Sequence, residues 1–335
     1  MKTINTSTFS TKLRAKAIDL KEQKLLISRL KGSEQEKDLH EPVNCDGFGR
    51  IRHFRRATSP GWPSNPLPID PAIHKLGLPP GDVLKAQVFQ NAACNWRCWF
   101  CYVPFALLNA DPKQSAWLSA TDLFDLFEVL PDRPKMIDLS GGQPDLTPEW
   151  IPWMMREAQK RGLSDSVYLW SDDNLSNDYF WQFLSPPDIT LIQDYHNYGK
   201  VCCFKGFDSD SFAFNTLAEE VLFEEQFKLF KRCLGLGIDL YAYATFTGTK
   251  KSNVPMAMTE FVDRLQDLDQ NLPLRTVPLE IRSFTPMVQR SQAYYDDAVK
   301  VQQEAIGCWN SELERRFTES DRHRAVYEVR LSNQG

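Results

Sequence analysis

From Gly81 to Phe284 the chain alternates between short apolar, β-prone runs and longer stretches whose apolar positions return at helical spacing. Strands are expected over residues 83–90, 134–140, 166–171, 200–206, 239–246 and 276–284, and helices over about 120–130, 147–162, 177–184, 217–234 and 255–268. The second helix is the best punctuated: Thr147 stands as N-cap, Pro148 at the first helical position and Gly162 at the close. Upstream, residues 10–31 suit an amphipathic helix with Leu13, Ala17, Leu20 and Ile27 near one face. Residues 59–80 carry too many prolines for a helix or a central strand and read as a covering segment or linker.

Strand–helix alternation predicts parallel strands joined by right-handed crossovers. Six units are too few for a closed eight-stranded barrel, which leaves an open (β/α)6 barrel or a doubly wound sheet; in both, ligands gather at the carboxyl ends of the strands. The expected division is an N-terminal helix and proline-rich segment (1–81), an α/β core (82–286) and a C-terminal helical extension (287–335). Strand parity adds the inward-facing candidates. Asp138 and Ser140 lie on the face opposite Ile137 and Leu139, and Lys205, Tyr241, Tyr243, Thr245, Glu280 and Arg282 are placed in the lumen on the same argument. Glu280 with Arg282 is open to two readings, a substrate contact or a structural ion pair.

Composition narrows the class. Of 335 residues, 42% are apolar and 25% charged, ordinary values for a globular protein, and no run reaches the ~18 apolar residues of a membrane span. No secretory signal is visible at the start, so a cytoplasmic location without a membrane partner is expected. The net charge of −5 hides an asymmetry: residues 1–56 carry +6 and the rest −11. The densest positive patch, GRIRHFRRA at 49–57, suits either phosphates or an arm folded back on the acidic body. Nucleic acid is thereby a partner to consider, not the favoured one.

Eight cysteines without a secretory signal argue for reduced thiols. Three of them, Cys94, Cys98 and Cys101, fall in the loop after the first core strand as C-x3-C-x2-C. Structural zinc normally takes four protein ligands, often from two paired motifs, and no second pair exists; a distant His or Cys would have to complete it. A [4Fe-4S] cluster held by three thiolates keeps one iron open. Gly141 and Gly142, after the next strand, serve a tight turn or a close approach of backbone to a ligand.

The trio, with aromatic Phe100 before the last cysteine, resembles the C-x3-C-x-aromatic-C signature of the radical S-adenosylmethionine (SAM) superfamily. SGGQP (Ser140, Gly141, Gly142, Gln143, Pro144) is similar to that family's Gly-Gly-Glu-Pro motif, which holds the amino group of SAM, with Gln143 in the place of Glu. SDDN, with Asp172 and Asn174, resembles a stretch of the glycyl-radical activating enzymes, and FKGFD and LEIRSFTP resemble later strands. The likeness spans about residues 83–286.

The resemblance implies a partial (β/α)6 barrel of radical SAM type. It implies Cys94, Cys98 and Cys101 as cluster ligands, with Phe100, Ser140, Gly141, Gly142, Gln143, Pro144, Asp172 and Asn174 around SAM. The reduced cluster would cleave SAM to a 5'-deoxyadenosyl radical, with a flavodoxin or ferredoxin as one-electron donor, and Lys205, Tyr243, Glu280 and Arg282 are the candidates for the reacting site. The substrate class stays open between a peptide or protein, a small molecule, and a nucleotide or RNA; a non-enzymatic zinc or iron–sulfur module is the alternative of another class.

Overall fold

The computed structural model describes residues 3–250 and 253–332. Its strands are β1 (Ile18–Asp19), β2 (Lys24–Ser28), β3 (Gly49–Arg55), β4 (Val83–Gln90), β5 (Ser115–Ser119), β6 (Met136–Ser140), β7 (Tyr168–Asp173), β8 (Tyr198–Phe204), β9 (Leu240–Thr245) and β10 (Thr276–Leu279). Seven of them form one sheet in the order β10-β9-β8-β7-β6-β4-β3, in which the six expected strands run parallel.

Two apolar layers flank this sheet. The outward face carries Ile137, Leu139, Leu169, Cys202, Phe204, Leu240, Ala242 and Ala244 against a layer of helices. Those helices follow α1 (Thr6–Ala17) and α2 (Ile69–Leu76). They are α3 (Ala120–Glu128), α4 (Trp150–Lys160), α5 (Tyr179–Phe183), α6 (Pro186–Asp194), α7 (Ser209–Thr216), α8 (Leu222–Leu234) and α9 (Val254–Leu268). On the inward face, Leu84, Met136, Tyr168, Trp170, Val201, Tyr241, Tyr243 and Val277 share a single cluster although their strands span the sheet from β4 to β10. This continuous apolar layer, from one edge of the sheet to the other, lines the inside of a sheet curled into an open partial barrel, as the sequence predicts.

The proline-rich stretch is a covering segment. Leu67 and the α2 residues Ile69 and Ala72 are fully buried in the inward cluster and fill one end of the lumen. Trp62 Nε1 donates to Pro278 O at 3.1 Å and Ser59 N to Glu280 Oε2 at 3.2 Å, tying the segment to the β10 edge.

The basic patch 49–57 is the largest departure from the expected division. It forms β3, antiparallel to β4 along seven residue pairs from Gly49↔Phe89 to Arg55↔Val83, and so belongs to the barrel wall. The arm folds back on the acidic body: Arg52 pairs with the buried Asp138 at 3.2 Å, and Arg56 with Asp70 and Asp82.

The helix expected over 10–31 is half right. Helix α1 ends at Ala17 and runs straight into the β1–β2 hairpin, whose turn includes Gln23 at φ 50°. Strand β2 pairs with β5, which buries Leu25, Leu26 and Ile27, whereas Leu20 is 58% exposed. Sheet pairing overrides the helical spacing of those leucines. The last strand is also shorter than expected. Alternation continues to Phe284, but the chain leaves the edge after Leu279 and turns across the barrel mouth through α10 (Val288–Ser291) before α11 (Tyr295–Arg316). Helix α11 packs on α9, with Trp309 against Phe246 and Phe261.

Candidate active site

The cysteine loop starts at the carboxyl end of β4 and is held from several sides. Ala92 N donates to Leu26 O at 3.0 Å, and Cys94 N to Leu108 O at 3.1 Å. Helix α7 supplies the other anchor: Arg97 N donates to Thr216 O, Trp99 N to Asn215 O, and the Trp99 indole to Asn215 Oδ1 at 2.9 Å. Trp99 packs edge-on to Phe100, Tyr294 and Tyr295. Asn95 ties the loop to α1 and to the β7 tip, donating to Ser10 Oγ and Ser176 Oγ and accepting from Asn174 Nδ2.

The structure brings the glycine turn against this loop. Gly141 and Gly142 both have positive φ, 79° and 64°. A Cβ on Gly142 would stand 2.4 Å from Ala93 O and 2.5 Å from Asn91 O, and Gln143 N donates to Ala93 O at 2.7 Å. The residue at 142 must therefore be glycine for the tip of β6 to dock on the root of the cysteine loop.

The three thiols are half-buried and reduced. Burial pushes all three up, Cys98 to about 12, and each of Cys94 and Cys98 is raised further by neighbouring thiols of the trio. Three cations oppose this: Arg97, Lys205 and Arg290. Arg97 donates to Cys94 O at 2.5 Å and Arg290 to Cys101 O at 2.5 Å, so both guanidiniums brace the loop backbone while facing its sulfurs. Lys205 Nζ stands 5.9 Å from the Phe100 ring centre. Its ammonium is held well above the usual range, burial being outweighed by Cys203, Cys98 and Asp172. Neither Arg97 nor Arg290 was among the residues expected here; a charged residue between two cysteines of an aromatic loop is the signal that would have found the first.

Beside the loop, Asp172 at the end of β7 accepts from Ser140 Oγ at 2.6 Å and is half-buried. Asn174 Oδ1 is buried with no partner. Gln143 departs from the expected role. Its amide oxygen accepts from Asn174 N at 3.0 Å, its nitrogen donates to Asp173 at 2.7 Å, and it is 1% exposed. The side chain has turned inward and cross-links two strand tips instead of facing the mouth. Pro144, also buried, opens the single 3-10 turn that follows.

Two further expectations change. The Tyr243 hydroxyl donates to Leu67 O at 3.1 Å beneath the covering segment, so it clamps α2's leader and does not face the mouth. Glu280 and Arg282, beyond the end of β10, pair with each other at 2.5 Å, and the Arg282 side chain is 51% exposed. The two therefore meet as an ion pair, with Ser59 N as its third member.

Among the described residues, the only set of three or more potential metal-ligand side chains with all ligand atoms within 4.8 Å of one another is Asp173, Cys202 and Cys233, on the outward face. It is not a cation site by its chemistry. Lys200 Nζ lies 3.9 Å from Asp173, which also accepts from Gln143 and from Leu175 N. Lys200 is bound in turn to Asp145 at 2.8 Å.

No protein-family model matches the chain, and no curated protein matches it. Among solved structures, it is similar to SuiB of Streptococcus suis bound to the precursor peptide SuiA, at 16% identity and TM-score 0.38 over 54% of this chain and 35% of that one. It is similar to SuiB bound to S-adenosylmethionine at 17% identity and TM-score 0.41, over 64% and 47%. A third likeness is to OxsB, a cobalamin-dependent S-adenosylmethionine radical enzyme, at 11% identity and TM-score 0.30, over 73% and 38%. The matched parts span between about a third and a half of those chains.

Proposed function

We propose that the chain is a radical SAM enzyme, with Cys94, Cys98 and Cys101 as ligands of a [4Fe-4S] cluster and SAM lodged at the tips of β6 and β7. The observation that carries this reading is the docking of the Gly141–Gly142 turn on the carbonyls of Asn91 and Ala93 at the root of the cysteine loop. Two motifs that the sequence separates by some forty residues make one mouth, as the shared chemistry requires.

The donor set fits the cluster. The three sulfurs sense one another electrostatically but do not all lie within 4.8 Å. Thiolates sharing one tetrahedral zinc at 2.3 Å would stand ~3.8 Å apart. Burial keeps the free thiols protonated, so they become thiolates only as metal binds and displaces the protons. Arg97, Lys205 and Arg290 offset the negative charge that three thiolates bring.

For SAM, the charge that Gln143 lacks is offered one strand away. Asp172 is half-buried, oriented by Ser140, and placed to receive an ammonium beside the unpartnered Asn174 Oδ1. Lys205 is placed for a carboxylate. When bound, cluster and SAM together supply a 5'-deoxyadenosyl radical able to take hydrogen from an unreactive C–H bond. The chain's own task is to orient SAM and to exclude water, and the aromatic group Trp99, Phe100, Tyr294 and Tyr295 walls one side of the mouth. The substrate is a peptide or small molecule. The basic patch, the feature that favoured nucleic acid, is a barrel strand.

The test is anaerobic reconstitution of the full chain. About four irons per chain, with dithionite- and SAM-dependent release of 5'-deoxyadenosine, supports the reading. Tightly held zinc, or iron uptake that persists in a Cys94→Ser, Cys98→Ser, Cys101→Ser triple variant, overturns it.

A further inference from the structure

Beside the cysteine loop, a cavity of about 230 Å3 opens between β3, the 35–40 segment, Tyr102 and Phe284. It lies along the β3 edge of the sheet, beside Phe284 of the segment that follows β10. Asp38, on the 35–40 segment, accepts from Thr285 N at 2.9 Å and Thr285 Oγ1 at 2.8 Å, which ties the two segments together.

Unsatisfied polar atoms concentrate around this cavity. Arg50 Nε, His53 Nδ1 and Gln35 Oε1 belong to residues lining it, and none has a hydrogen-bond partner. Two more belong to residues bound to the lining: Gln90 Nε2, whose amide oxygen accepts from Gln35 Nε2 at 3.2 Å, and Asp138 Oδ1, whose other oxygen holds Arg52. A buried polar atom is costly to leave without a partner. Of the five, Arg50 Nε is an N–H donor on a residue lining the hollow and is open to an acceptor, whereas Gln35 Oε1 and Asp138 Oδ1 are acceptors that would not hold an anion.

The charges indicate the sign of that acceptor. Arg52 is paired with Asp138, His53 with Glu41, and Asp38 is engaged by Thr285. Arg50 is left over. It is 6% exposed, and among the described residues its guanidinium forms no contact ion pair: it meets the Tyr102 hydroxyl at 3.2 Å and the Tyr102 ring at 5.3 Å, while its charge reaches Asp138, the carboxyl that Arg52 holds. A buried guanidinium without an anion is costly, and its planar fork matches carboxylate and phosphate oxygens. Tyr102 and Phe284, 6.2 Å apart, wall the hollow with aromatic surface.

We infer that this cavity binds the oxyanion, carboxylate or phosphate, of a small anionic substrate, with Arg50 as its principal contact. The inference deepens the proposed function. Tyr102 follows the cluster ligand Cys101, and Gln90 packs beneath Gly141, so an anion held here anchors a substrate at the edge of the mouth. Anion binding itself does not depend on that reading.

The test is equilibrium dialysis of the full-length protein, reconstituted with iron and sulfide, against radiolabelled inorganic phosphate and, separately, acetate, with iron content and SAM binding measured in parallel. One saturable site per chain for either probe is expected. Arg50→Gln should weaken it at least about tenfold, and Arg50→Lys, which keeps the charge but not the fork, by less. Phosphate binding alone indicates a phosphorylated substrate, acetate binding alone a carboxylate. Absence of saturable binding, binding unchanged in Arg50→Lys and Arg50→Gln alike, or competition by SAM overturns the inference. Should Arg50→Gln not fold, Arg50→Lys and the SAM competition on the unsubstituted chain still decide. Failure of iron and SAM binding with the oxyanion site intact would instead remove the proposed function and leave the site standing.

Discussion

Replacing Gly142 by alanine tests the contact on which the site is built. Two costs can be worked from the structure. Alanine at φ 64° pays the left-handed term, roughly 1–2 kcal/mol. Its Cβ also meets Ala93 O at 2.4 Å and Asn91 O at 2.5 Å, where 3.4 Å is ordinary contact. Both obstacles are backbone and cannot rotate away, so the turn must lift by about 1 Å. That shift breaks the 2.7 Å bond from Gln143 N to Ala93 O, which is worth about 1 kcal/mol. The sum is a loss of about 2–3 kcal/mol. Gly162, at φ 68° with nothing within 4 Å of an added Cβ, isolates the first cost alone. Urea unfolding of apoprotein under reductant should therefore place Gly142→Ala below Gly162→Ala by at least about 1 kcal/mol, and only Gly142→Ala should lose iron uptake on reconstitution. Equal losses in the two variants would refute the reasoning, because the steric part would then be nil.

Burial holds the thiols of Cys94, Cys98 and Cys101 above the ordinary range, so iron loading at neutral pH should release about three protons per chain; stoichiometric release near zero, read with a pH indicator, would mean that the thiolates pre-exist. Asp172→Asn should raise the SAM dissociation constant at least about tenfold by removing a charge-assisted bond, with the visible cluster spectrum unchanged; an unaltered affinity in equilibrium dialysis removes Asp172 from the SAM site. Asp138 gives a pH signature. Burial first, then Asp172, pushes its carboxyl up to about 7 against the pull of Arg52, whereas the unfolded carboxyl titrates near about 3.9. The folded chain thus binds the extra proton between those values, and the stability that comes with it is present below about pH 4 and lost as pH rises through 7. Asp138→Asn should gain on the wild type between pH 5 and pH 8 by more than about 1.4 kcal/mol, the worth of one pKa unit; a pH-independent gap in urea unfolding would show that Asp138 is ionised throughout.

The parallel strands were legible in the sequence because each side of the sheet is buried by a different partner. Ile137 and Leu139 face helices and Asp138 and Ser140 the lumen, so a period of two survives in the residues themselves. The cysteine loop and glycine turn were legible for another reason: ligation and close backbone approach restrict residue type locally. What the sequence did not disclose depends on partners remote along the chain. Nothing within residues 18–28 announces that β5, some ninety residues on, will pair with β2. Gln143 reads as a ligand residue until Asp173 and Asn174 arrive from β7 to take both ends of its amide. Tyr243 has the parity of a lumen residue, but parity says nothing of depth, and the covering segment fills the depth at which it lies.

The basic strand β3 illustrates the same limit with a functional consequence. Its arginines read as surface charge because Arg50, Arg52, Arg55 and Arg56 crowd a short segment. Pairing with β4 sorts them by alternation: Arg50 and Arg52 share the inward face, while Arg55 is exposed and Arg56, past the strand end, is tied to Asp70 and Asp82. Arg52 meets Asp138, a carboxylate fully buried in the lumen, and the two burials offset each other's cost. Arg50, two residues away on the same face, makes no such contact pair, although its charge also reaches Asp138. A strand that supplied only a seal for the barrel edge would be better served by apolar residues at both positions. The proposed oxyanion site would give this second guanidinium a contacting anion, in the strand that forms one wall of the barrel.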